Sequence, residues 1–380
     1  SSYEAERNMI GLFDPSLGNT PDSRKRLRPL LKFARGDRDG RITGLPILGI
    51  VYPSITLATA CDPLKMSSAS LPTAADAIRR AQMEITRLLH PIVGSSAEFG
   101  PEDEDWYWAA PILLDMYYHH GSAEKFFHNR KLGDVWAGEE ISGEDESEEG
   151  PSLWKEVIAE VSELIDGKIR PKRPPRDLSL VLAKIAIAGP GVTCLRALAR
   201  VTGGLSSGRL WEPLDEISMS AMRMSRPFIR LFNLKTSSAL LRGLYALDSQ
   251  GALAYWRQVL DYCVDGGLQS VLDEYVHFLN ESEGLFGLDR SKAGERISET
   301  VEEALSLRSA SLEVDEISCN VRSISMSPKK MRTNFAVMLS EKGSEEGRSV
   351  NRISQIRKAF NSPFWPFVLA TTAIGQEGLD

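Results

Sequence analysis

From Leu178 to Leu307 nearly every stretch reads as helix, about 130 residues in all, and this constrains the fold more than any other feature of the chain. Apolar residues spaced three or four apart fall on one face of an α-helix. Leu178–Ala188 and Cys194–Arg200 read as two helices split by Gly189-Pro190-Gly191, and Ser237–Leu247 as a third. Ala252–Leu279 reads as the longest. Its apolar stripe holds Leu253, Trp256, Leu260, Cys263, Leu268, Val271, Leu272, Tyr275 and Leu279, and Gly266-Gly267 is a point for a bend or break. No fixed period of about 33–45 residues recurs, so a repeat solenoid is not expected. The expectation over residues 178–310 is a helical bundle. Isolated carboxylates such as Asp261, Asp265, Asp273 and Glu274 read as its solvent face.

A chain of 380 residues has room for two or three domains. Residues 1–136 read as a mixed α/β and helical segment. Within it Ile47–Leu57, ILGIVYPSITL, reads as a buried strand running into a turn at Pro53. Thr73–Leu89 has helical spacing, with Thr73 as N-cap and Asp76 three residues on. Trp106–Tyr118 reads as a buried helix. Residues 22–41 carry eight bases (Arg24, Lys25, Arg26, Arg28, Lys32, Arg35, Arg38 and Arg41), either a phosphate-contacting surface or a solvated helix face followed by a turn.

Residues 137–177 read as a linker region with one helix. Ala137–Ser152 has seven acids within Glu139–Glu149 and buries no apolar area. Ser152 caps a helix that runs to about Ile165. Lys168–Arg176, KIRPKRPPR, is an extended, proline-rich basic connector. It is able to touch a phosphate backbone, though a plain linker is the simpler reading.

Net charge is −7, which by itself argues against broad nucleic-acid affinity. The charge is uneven: Glu98–Asp166 holds 19 acids and four bases. That segment reads as a solvated acidic surface, or more sharply as a nucleic-acid mimic or an autoinhibitory flap. Cys61, Cys194, Cys263 and Cys319 form no CxxC pair, so neither a zinc site nor a disulfide framework is signalled. Isolated cysteines of this kind suit apolar filler in a reducing cytoplasm. His119, His120 and His128 read as structural or surface residues. No apolar stretch reaches the roughly 18–20 residues that span a bilayer, so no membrane partner is expected. The chain starts at Ser1 with no export signal and no initiator methionine, as expected of a piece of a longer protein.

After Ser311 the pattern changes from helix to strand. Val314–Met326 alternates loosely, and Lys329, Lys330 and Arg332 lead into Phe335–Leu339, FAVML, a short buried-strand candidate. Gly343–Gly347 reads as a polar loop, Val350–Phe360 as a helix and Pro363–Ala370 as the next strand. Strand, loop, helix, strand is the order of a parallel α/β unit. In such sheets ligands sit at the carboxyl ends of strands, and here that position holds TTAIGQEGLD. Small residues there let the backbone approach a phosphate, and threonine hydroxyls can donate to its oxygens.

The string VLATTAIGQEGLD resembles motif V in the second motor lobe of superfamily 2 helicases and translocases, especially the bacterial Snf2-like branch related to the RNA-polymerase-associated ATPase. In that motif a strand is followed by Ser/Thr and then Ile-Gly-x-Glu-Gly. The resemblance implies that Thr371 and Thr372 contact the nucleic-acid backbone and that Gly375 and Gly378 shape the loop. It implicates Gln376, Glu377 and Asp380 in coupling the nucleic-acid track to an ATP cleft. Lys329, Lys330 and Arg332 join the expected nucleic-acid-binding set. More loosely, RKAFNSPFWPFVLATT resembles large bacterial helicase-like proteins, some of phage-defence systems, with a helical insertion around the motor lobes. The implied fold is mainly α with α/β: a helical bundle insertion over 178–310, then a truncated RecA-like parallel α/β lobe over 311–380.

The resemblance also implies ATP and Mg²⁺ as cofactors, nucleic acid (double-stranded DNA) as partner, and further motor segments. No GxxxxGK[ST] occurs, no DExH-type acid pair follows a strand, and the motif carrying an arginine finger would follow Asp380. The expectation is therefore a helicase or translocase segment that does not hydrolyse ATP alone. The alternative reading is a non-enzymatic helical module that binds protein or nucleic acid.

Overall fold

The computed structural model describes residues 30–36, 40–66, 73–94, 100–137, 153–204, 214–245, 247–248, 251–305, 310–320, 323–333, 357–359 and 361–364. Among them the chain is mainly α-helical. Its internal contacts divide it into two units, Ser1–Glu299 and Thr300–Asp380.

In the first unit a short antiparallel hairpin pairs β1 (Ala34–Arg35) with β2 (Ile42–Thr43). The bases Lys32, Arg35 and Arg41 thus lie in or beside extended chain rather than on a helix face. Two short helices follow, α1 (Pro46–Val51) and α2 (Ile55–Ala60), where a buried strand was expected. Pro46 sits at the start of α1, where its fixed φ suits a helix. The Ser54 side chain caps α2 by accepting from the Leu57 N–H at 3.3 Å. A continuous apolar run reads the same whether it becomes a buried strand or a buried helix, and local capping decides between them.

The chain continues through α3 (Pro63–Met66) and α4 (Ala74–Val93). The Thr73 hydroxyl caps α4 by accepting from the Asp76 N–H at 3.2 Å, as expected. Then come α5 (Trp106–Tyr118), α6 (His120–Phe127) and α7 (Leu132–Ala137). Helix α8 (Trp154–Ile165) starts after Leu153, and Ser152 lies outside the described residues. Next are α9 (Leu178–Ala188) and α10 (Pro190–Ala199), with Gly189 alone between them and Pro190 opening the second. A π-helical turn spans Arg200–Gly204.

Helices α11 (Leu214–Ser225), α12 (Pro227–Asn233) and α13 (Lys235–Tyr245) lead to a two-residue hairpin, β3 (Leu247–Asp248) with β4 (Gly251–Ala252). The expected long helix is two, α14 (Tyr255–Asp265) and α15 (Leu268–Ser282). Gly267 between them takes φ +60°, a left-handed conformation that glycine enters without a Cβ penalty. Helix α16 (Arg290–Leu305) runs across the division between units.

Helices α9 and α10 form the centre of the first unit. α9 packs on α4, α5 and α14, and α10 on α2, α11 and α15. Leu182, Ile185, Leu195 and Leu198 are buried, and each such side chain contributes on the order of 1.5–3 kcal/mol. An 18-residue window within Leu178–Thr202 has a mean hydropathy of 1.8, so this segment is long and apolar enough to cross a membrane, which corrects the reading that no stretch qualifies. The segment is broken at Gly189, and 78% of that window is buried inside the protein.

In the second unit β5 (Ala310–Asn320) pairs antiparallel with β6 (Ser323–Thr333), from Ala310 opposite Thr333 to Asn320 opposite Ser323. The alternation over Val314–Met326 therefore spans both arms of a hairpin rather than one strand of a parallel unit. Alternation marks a strand but carries no information on the direction of its partner. The parallel RecA-like lobe does not appear among the described residues. Of the expected helix Val350–Phe360, residues 357–359 are helical, and 361–364 are non-regular. Phe335–Leu339, the Gly343–Gly347 loop and most of Pro363–Ala370 lie outside the described residues.

Candidate functional site

Lys329, Lys330 and Arg332 lie within β6, opposite Val314, Glu313 and Ser311, and not in a loop ahead of a strand. Thr371, Thr372, Gly375, Gln376, Glu377, Gly378 and Asp380 lie outside the described residues.

Three polar constellations stand out in the first unit. The first is Asp115, from the last turn of α5, fully buried at the start of α2. Its carboxylate accepts from the Tyr52 hydroxyl (2.9 Å), the Ser54 hydroxyl (3.0 Å), the Ile55 N–H (2.8 Å) and the Thr56 N–H (2.7 Å). Burial pushes the carboxyl up from its ordinary range, and these hydrogen bonds pull against it.

The second centres on two arginines of one helix face. Arg196 in α10 is fully buried. It donates to the carbonyls of Ala58 (2.9 Å), Leu57 (3.2 Å), Cys61 (3.2 Å) and Ala186, and to Gln269 Oε1 (2.9 Å). These carbonyls lie at the C-terminal ends of α2 and α9, and that of Leu57 also accepts from the Cys61 N–H at 3.3 Å. Burial lowers Arg196 to about 10, so it stays charged at neutral pH. Arg200 pairs with Asp62 (2.6 Å) and with Asp273, whose carboxylate also accepts from Gln269 at 3.0 Å. Asp273 is thus part of an internal network, not of a plain solvent face. Asp261 and Asp265 are also partnered, by Lys184 and by the Tyr245 hydroxyl, whereas Glu274 is exposed.

The third joins the basic connector to the body. The Lys172 N–H donates to Asp103 Oδ2 (2.8 Å), the Asp103 N–H to the Arg173 carbonyl (2.9 Å), and the Trp106 indole to the Lys172 carbonyl (2.8 Å). At its end Asp177 accepts from the Tyr107 hydroxyl (2.6 Å) and Arg257 (2.5 Å), and Arg257 also donates to the Tyr107 hydroxyl (2.6 Å). The Arg257 guanidinium lies 4.8 Å from the Tyr107 ring centre and 4.7 Å from that of Trp256. The connector is a fixed strap rather than a loose linker.

None of these arrangements supplies an activated nucleophile. Cys61 is pushed up to about 12, mainly by burial, and burial raises Cys194 and Cys263 as well. His120 and His128 are exposed, and no group of three or more His, Cys, Asp or Glu able to hold a metal ion occurs among the described residues. No GxxxxGK[ST] occurs in the sequence, and the described residues gather no cluster of His, Cys, Asp or Glu for Mg²⁺.

Sequence reasoning passed over Asp115 and Arg196. Each had a local signal, a lone charged letter inside an apolar helix (WYWAAPILLDMYY and PGVTCLRALA), which demands a partner. Comparison with known proteins finds no match among family models, curated proteins or solved structures.

Proposed function

We propose that this chain is a segment of an ATP-dependent nucleic-acid motor of the superfamily 2, Snf2-like kind, acting in the cytoplasm on double-stranded DNA. The observation that carries this reading is the string VLATTAIGQEGLD over 368–380. In this reading Thr371 and Thr372 hold backbone phosphates, with Lys329, Lys330 and Arg332 adding positive charge. Gln376, Glu377 and Asp380 transmit that contact, and Gly375 and Gly378 shape the loop. In this reading ATP and Mg²⁺ bind through other segments of the motor.

DNA-stimulated ATPase of the complete motor tests the proposal. Thr372→Ala and Gly375→Val each reduce the stimulation while leaving ATP hydrolysis without DNA unchanged. Full stimulation in both variants overturns the motif V assignment. It would then favour a non-enzymatic helical interaction module.

A further inference from the structure

The geometry points to a second nucleic-acid contact on the first unit: the strap Lys168–Arg176 is a preorganised binding surface for the phosphodiester backbone. It deepens the proposed function but stands on different residues, so the two can fail separately. The strap holds five bases and no acid. Arg170 and Lys172 are exposed, and neither side chain has an ion-pair or hydrogen-bond partner among the described residues. Lys168 pairs with Asp166 at 2.8 Å, and Arg173 and Arg176 reach Glu102 at 3.9 and 3.5 Å. All of these pairs are solvent-exposed to some degree, so exchanging them for phosphate costs little.

Two features separate this segment from an ordinary solvated charge run. The first is rigidity. Asp103 and Trp106 fix the backbone at Lys172 and Arg173, and Tyr107 and Arg257 hold Asp177 just beyond Arg176. Pro171, Pro174 and Pro175 restrict the rest. Ordering entropy is therefore already spent before a ligand arrives.

The second is what the backbone lacks. Prolines 171, 174 and 175 have no N–H, and that of Lys172 is used by Asp103. A peptide adding itself as a strand needs those donors, and the strap does not offer them. What remains is a row of cations, with Lys168 in the bend after α8 and Arg170 and Lys172 at alternate positions beyond it. In an extended chain rising about 3.1 Å per residue the last two stand roughly 6 Å apart. Charge without backbone donors is the chemistry of sequence-independent phosphate contacts.

The test titrates the full chain against a fluorescein-labelled DNA duplex by anisotropy over a salt series. The double variant R170Q/K172Q removes two exposed charges and no packing. Its affinity at low salt falls roughly tenfold or more, and its slope of log affinity against log salt shrinks by about 2. Asp103→Ala frees the strap without removing a base, so it weakens binding with the slope unchanged. Wild-type affinity and slope in R170Q/K172Q overturn the inference, as does a wild-type chain that binds no duplex. Displacement of the duplex by polyglutamate at equal charge concentration also overturns it, in favour of an acidic protein partner. The Thr372 and Gly375 variants are read separately, by ATPase stimulation.

Discussion

The Tyr52 hydroxyl donates to Asp115 Oδ2 across 2.9 Å in a dry interior, where Tyr52 is 2% and Asp115 0% exposed. With Ser54, Ile55 and Thr56 donating as well, both carboxylate oxygens are occupied. An asparagine in this place turns an N–H₂ group toward donors. Asp115→Asn should therefore cost about 2–5 kcal/mol, and Tyr52→Phe about 1–3 kcal/mol. Urea unfolding followed by circular dichroism measures both, with the slope compared to confirm that midpoint shifts report stability. An Asp115→Asn chain that unfolds at the wild-type midpoint would contradict this account of the corner.

Arg196 makes a stronger case, because its partners stay behind when it is removed. Arg196→Met leaves the carbonyls of Ala58, Cys61 and Ala186 without the guanidinium donor inside the core, while that of Leu57 keeps the Cys61 N–H. The loss should be at least about 3 kcal/mol. Arg196→Lys keeps the charge but offers three donors instead of a planar fork, so it should fall between the two. Guanidinium midpoints in the order wild type, Lys, Met test the idea. The reverse order of the two variants would sink it.

These two residues also show where sequence reading stops. The helix Trp106–Tyr118 is legible because its aromatic and apolar letters fit no exposed element, and the Thr73–Asp76 cap is legible because both partners are local. Asp115 and Arg196 are visible as misplaced charges, but their partners lie about 60 and nearly 140 residues away, a pairing that only the tertiary fold reveals. The apolar run Ile47–Leu57 fails for a different reason: burial on all sides erases the periodicity that separates strand from helix. The antiparallel β5–β6 pairing was hidden because alternation is the same for either strand direction. For the strap, the sequence displays the bases and prolines, while the anchors come from two separate stretches of chain, Asp103 and Tyr107 from one and Arg257 from another.

Two glycines in helices have opposite roles. A Cβ at Gly191, near the start of α10, would stand 2.3 Å from the Val51 carbonyl oxygen and 2.4 Å from that of Tyr52. Backbone cannot move aside as a side-chain tip can, so Gly191→Ala forces α10 away from the α1–α2 connection. It should cost about 1–3 kcal/mol or more. Gly121 in α6 has nothing within 4 Å of a Cβ. Gly121→Ala there should gain up to about 1 kcal/mol from helix propensity alone. Thermal melts of the two single variants read the contrast. Equal shifts of the same sign would mean that α10 does not approach the connection this closely.

Asp177 adds a pH dependence with a definite sign. Burial acts to raise its carboxyl, but hydrogen bonds from Arg257 and Tyr107 prevail and hold it below the ordinary carboxylate range. A depressed acid binds its proton less tightly folded than unfolded. Its stabilising effect is therefore complete above the unfolded pKa of about 3.9 and is lost as pH falls through the lower folded value. The side chain is 41% exposed, so solvent screening keeps the effect modest. Asp177→Asn should be less stable than wild type near neutral pH, and the gap should close below about pH 4 as the wild-type carboxylate protonates. Because Asp177 also holds the end of the strap, the same variant should weaken duplex binding at neutral pH without changing its salt slope. Thermal unfolding at neutral and acidic pH, with a salt series at neutral pH, measures both. A stability gap that persists unchanged in acid would show that Asp177 acts through packing rather than through its charge.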